Sequence, residues 1–120
     1  MDRLKFNVED AKYALLPLNK KRLLMASEAY SRLSIDVERF RACYALELLR
    51  VVGQHRVEAC TLIAICTSEA ESSITTLAAK FHKMLDDTDI ASLIAVLLVY
   101  YTNEIQSFAK KEVRNERNTL

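Results

Sequence analysis

Residues 90–101 read Ile-Ala-Ser-Leu-Ile-Ala-Val-Leu-Leu-Val-Tyr-Tyr, so eleven of the twelve positions are apolar and neither Gly nor Pro interrupts them. Wound as a helix, the run is apolar on every side, and such a helix is stable only where protein covers it. Its place is therefore the centre of a bundle or a seam between two chains. The rest of the chain also favours helices. With one glycine, Gly53, and one proline, Pro17, in 120 residues, turns that need a left-handed glycine have almost nowhere to form. The pattern predicts an all-α fold, a compact bundle of five or six helices in a single domain spanning 1–120.

Caps set the boundaries. Asn7, with Glu9 and Asp10 behind it, predicts a short helix over about 8–15, since acids in a first turn complement the helix dipole. Pro17 ends that helix and suits the first turn of a second one reaching about 33, with Leu23, Ala26, Tyr30 and Leu33 as its inner stripe. Ser34, followed by Asp36 and Glu38, reads as the cap of a third helix, which Gly53 stops in a left-handed conformation. Its expected inner face is Val37, Phe40, Tyr44, Leu48 and Val51, with Cys43, Leu46 and Leu49 beside it. A fourth helix carries the apolar residues 57–66. Ser68 and Glu71 fit a capping box and argue for a break near 67, while a single helix over 54–85 is the alternative, because no Gly or Pro enforces the break. Asp86, Asp87 and Asp89 announce the last helix, about 88–113. Its stripe of Ile90, Ile94, Leu97, Tyr101, Ile105 and Phe108 makes it the longest and the most buried of the set. The polar residues 114–120 are expected to fray.

Composition narrows the function classes. Seventeen basic against sixteen acidic residues leave a net charge of +1, without the field of a protein that coats nucleic acid. Cys43, Cys60 and Cys66 lie in apolar stretches, an odd set without paired spacing, and read as buried, reduced thiols. The start Met-Asp-Arg-Leu-Lys-Phe-Asn has no secretory pattern. Both features point to the cytoplasm. The run at 90–101 falls short of the roughly 20 residues that cross a bilayer, and acids flank it closely, so no membrane association is expected. His55 and His82 lack carboxylates at the spacing of a helical metal site, Cys60 and Cys66 point to different sides of a helix, and no glycine-rich phosphate loop exists. No residue is assigned to catalysis, to a metal or to a cofactor.

Binding remains. Residues 73–98 have the punctuation of a helix-turn-helix, but the second helix opens with aspartates and continues with Ala, Leu and Ile, which cannot read base edges. Lys20, Lys21 and Arg22 stand at a helix start, where cations oppose the dipole, and an anionic partner would relieve that conflict. Lys110, Lys111, Arg114 and Arg117 form a second basic cluster, diluted by Glu112 and Glu116. Apolar residues outnumber what one small bundle can wrap, and uncovered apolar patches mark contact surfaces. The chain is accordingly expected to be a small intracellular interaction module, an adaptor, regulator or inhibitor that binds a protein partner or assembles as a homo-oligomer. Leu93, Val96, Val99 and Tyr100 are its expected interface, and Tyr30, Tyr44, Tyr100 and Tyr101 offer area with a polar tip. The alternative is a dimeric transcriptional regulator gripping nucleic acid through 20–22 and 110–117.

Overall fold

The computed structural model describes the backbone of residues 5–118 and the side chains of residues 5–102. Among these the chain forms a β-hairpin, six α-helices and one short 3-10 turn. The strands are β1 (Lys5–Val8) and β2 (Ala11–Ala14). They precede α1 (Lys20–Arg32), α2 (Val37–Ala42), α3 (Tyr44–Gln54) and α4 (Arg56–Thr67). A 3-10 turn over Glu71–Ser73 leads into α5 (Ile74–Met84) and then α6 (Asp87–Asn118). The chain is thus mostly helical with a small two-stranded sheet.

The hairpin corrects the helix expected at 8–15. Val8, Ala11 and Leu15 fit one helical face, but Phe6, Val8, Ala11 and Tyr13 also alternate as two short strands. A partner remote in sequence decides between the two. Strands β1 and β2 pair antiparallel with Phe6 opposite Tyr13 and Val8 opposite Ala11, and both rings pack on Phe81 of α5, with centroids 5.9 Å and 5.2 Å away. An isolated two-stranded hairpin is marginal in water, so this aromatic cluster is what anchors it. The turn at Glu9 and Asp10 holds Glu9 at φ 55°, a left-handed conformation disfavoured for a side chain with a Cβ.

Helix α4 is the hub. It touches α1, α3, α5 and α6, and its residues from Leu62 to Thr67, together with Ala59 and Cys60, are buried. The last helix is the longest, but its described part is not the most wrapped: only Ile90, Ala91, Ile94, Leu97 and Tyr101 are buried there. Burial follows from neighbours, and α4 lies between helices on several sides while α6 packs chiefly along one stripe. The expected fraying over 114–120, like Ile105 and Phe108, falls on residues whose side chains lie outside the described part.

The start of the last helix follows the sequence, since Asp86 caps α6 by accepting from the Asp89 N–H at 2.8 Å. Pro17 lies outside α1 instead of in its first turn, because Asn19 caps the helix by accepting from the Arg22 N–H at 2.8 Å. The break near 67 is present, although Ser68 donates its hydroxyl to the Ala70 carbonyl instead of forming a capping box. Other boundaries move. The expected third helix is two helices, capped by Asp36 in place of Ser34 and interrupted at Cys43, whose backbone is extended. Gly53 lies inside α3 with a negative φ, and the helix stops two residues later at His55. Only Phe40 of α2 packs against the core, and Val37, Tyr44 and Leu46 are exposed where a buried face was expected, as is Cys43. Tyr30 is also exposed, since the inward face of α1 is carried by the small Ala26 and Ala29.

Three charged side chains join segments that helix packing alone leaves loose. Arg22, in the first turn of α1, donates to the Ile65 carbonyl at 2.8 Å and the Ser68 carbonyl at 2.6 Å, supplying donors to the open end of α4. The Leu16 N–H donates to the Cys66 carbonyl at 3.0 Å, and the Leu16 carbonyl accepts from the Tyr101 hydroxyl at 2.6 Å. At the other end of α4, Arg56 donates to His82 Nδ1 at 3.0 Å and to the His82 carbonyl at 2.8 Å, and also reaches Leu85 and Asp87. On α3, buried Glu47 accepts from both Arg50 Nε at 2.7 Å and the Asp36 N–H at 2.7 Å, tying the α1–α2 loop to the helix. The Arg50 guanidinium, ahead of the opposing effect of burial, holds the Glu47 carboxyl at a pKa of about 2.

Candidate interaction surface

Helices α3 and α6 meet along small side chains. On α3, Tyr44, Ala45 and Leu49 face Ala91, Ser92 and Ala95 of α6 across a cleft of about 320 Å³. Alanine and serine make its floor shallow and its backbones close, while Tyr44 and Leu49 form the α3 edge. Tyr44 is 60% exposed and Leu49 39% exposed. At helical spacing Ser92, Ala95 and Val99 lie on one stripe, and Val99, 83% exposed, stands about 6 Å along the axis from Ala95. A hole and a protruding apolar knob therefore occupy the same face.

The four residues expected to form the interface divide into two pairs. Leu93 and Val96 are half-buried and pack against the core. Val99 and Tyr100 are exposed, with the Tyr100 ring held edge-on to Tyr101 at 4.6 Å. Tyr101 itself is buried and reaches Leu16, whereas Tyr44 belongs to the cleft. Sequence reading missed Leu49 as an exposed edge and the alanines as a floor. The signal that could have found the floor is the Ala91, Ser92, Ala95 spacing, which places small side chains on one side of α6.

The expected anionic contact is differently engaged. Arg22 spends its guanidinium on α4 carbonyls, Lys21 pairs with Glu71 at 2.7 Å, and Lys20 is exposed. Arg22 and Lys21 thus have partners within the chain. Lys110, Lys111, Arg114 and Arg117 lie outside the described side chains. Cys60 is buried, and desolvation pushes its thiol pKa up, which disfavours the reactive thiolate. Among the described residues no three His, Cys, Asp or Glu side chains gather as a metal site, and no helix is long and apolar enough to cross a membrane. No family model, curated protein or solved structure matches the chain.

Proposed function

We propose that the chain is a small protein-interaction module that pairs with a second copy of itself through the α3–α6 face and acts in that form as an adaptor or regulator. The carrying observation is the exposed Val99 knob on the same stripe as the alanine-floored cleft. A two-fold pair uses one patch twice, so a knob and a hole on one face are self-complementary. In such a pair Val99 of each copy enters the other's cleft, between the Tyr44 and Leu49 edge of α3 and the alanine floor of α6, with Tyr100 beside it. Aromatic residues at the edge suit a seam, since they combine apolar area with a polar tip. Cytoplasmic residence and the absence of a catalytic role belong to the same reading.

Light scattering at micromolar concentration tests it. The expected result is a dimer for the unmodified chain and a monomer for the variant Leu49→Lys plus Val99→Lys, with an unchanged helical circular-dichroism spectrum. A wild-type chain that remains monomeric across that concentration range overturns self-pairing.

A further inference from the structure

On another side of the molecule, a cavity of about 500 Å³ opens between the hairpin, the end of α4 and α5. Its size lies within the range of small-molecule sites. Tyr13, Leu16 and Leu77 supply apolar wall, and Lys12 and Lys80 supply positive charge, with Glu69 as the one carboxylate in the lining. Lys80 Nζ stands 2.8 Å from the Tyr13 hydroxyl and 5.4 Å from its ring centroid. The hydrogen bond to Tyr13 raises the Lys80 pKa. An ammonium can only donate, so the Tyr13 oxygen is the acceptor and its own O–H proton remains available as a donor, beside two further N–H groups of Lys80. Two charge-compatible donors thus converge at the edge of an apolar wall.

We propose that this cavity binds a small amphipathic organic anion, an apolar or aromatic body bearing one carboxylate that Lys80 and Tyr13 hold. In the lining Lys12 and Lys80 outnumber Glu69, and Glu9 also acts on Lys80 from the hairpin turn, so the site has charge to match no more than a monoanion. The body lies against Leu16, Leu77 and the Tyr13 ring, and the carboxylate accepts from both donors. Lone phosphate lacks the part that the apolar wall recognises. An uncharged amide lacks the charge.

The test is titration of the full chain with 3-phenylpropionate, followed by amide NMR shifts at residues 12–16 and 67–80, with 3-phenylpropionamide and inorganic phosphate in parallel. Saturable shifts are expected for the carboxylate, with at least about tenfold weaker binding of the amide and of phosphate. Lys80→Met retains the aliphatic stem and is expected to weaken binding about tenfold. Tyr13→Phe keeps the ring packing on Phe81, separates a folding defect from loss of the donor, and is expected to weaken binding several-fold. Thr76→Phe on the exposed rim fills the cavity while leaving the Lys80–Tyr13 pair in place, and binding is expected to be lost. The absence of saturation with 3-phenylpropionate, equal binding of the amide, equal binding of phosphate, or unchanged affinity in either Lys80→Met or Thr76→Phe overturns the proposal.

Discussion

Residues 57–66 of α4 and 90–101 of α6 are both runs of Val, Leu, Ile and Ala with sparse polar interruptions, yet the two helices divide their surfaces differently. Ile63 and Ile65 lie on different sides of α4 and both are buried, because α1, α3, α5 and α6 approach from several directions. In α6, Leu97 is buried while Val99 is 83% exposed. Local hydrophobicity therefore sets how much surface needs cover, and topology decides which helix receives it. Apolar side chains also stay uncovered at the start of α4, at Val57, and on α3, at Leu46.

Truncation at the hub carries the largest expected effect. Ile63→Ala, at a fully buried position, is expected to lower stability by about 2–5 kcal/mol in urea denaturation, and a loss under about 1 kcal/mol would break the contrast between α4 and α6. Next comes the long-range support of α4. Arg22→Met retains apolar length but removes the donors to Ile65 and Ser68, and an expected loss of about 1.5–3 kcal/mol should be accompanied by faster amide exchange at the end of α4. Tyr101→Phe deletes only the hydroxyl that reaches Leu16 and is expected to cost about 0.5–1.5 kcal/mol. At the exposed side of α6, Val99→Ser should alter the stability of the isolated chain by no more than about 0.5 kcal/mol while weakening self-association in light scattering.

Titration sharpens the same contrast from the α3 side. Glu47 has a folded pKa of about 2 against an ordinary 4.5, so its clamp contributes fully above the ordinary value and fades as pH falls from about 4.5 through about 2. Glu47→Gln should flatten the acid limb of stability over that window, measured by urea denaturation at successive pH values. If the variant retains the wild-type slope, the clamp is not the source of the acid dependence.

The helical class, the break near 67 and the start at Asp86 were legible because each is encoded within a few residues, whereas the start of α1 at Lys20, with Pro17 outside the helix, was set by the Asn19 cap instead of the proline. The hairpin was not, since 8–15 fits either period and Phe81, remote in sequence, decides. Nor was the role of Arg22, whose carbonyl partners lie more than forty positions away. The split at Cys43 has no local breaker, and the extended backbone there accompanies the Glu47 clamp on the preceding loop. Of the proposed face, Val99 and Tyr100 were readable as surplus apolar residues. The cleft beside them required knowing that α3, rather than another helix, lies along Ala91 and Ala95.

The backbone of one residue links distant parts of the chain: Leu16 gives its N–H to Cys66 and takes the Tyr101 hydroxyl on its carbonyl. During synthesis the second half of that latch is missing until 85 further residues have been added. The hairpin and the residues after it can engage α4 before then, but closure against α6 has to wait for Tyr101. An interrupted translation product ending before Tyr101 would consequently leave the Leu16 carbonyl waiting for its donor.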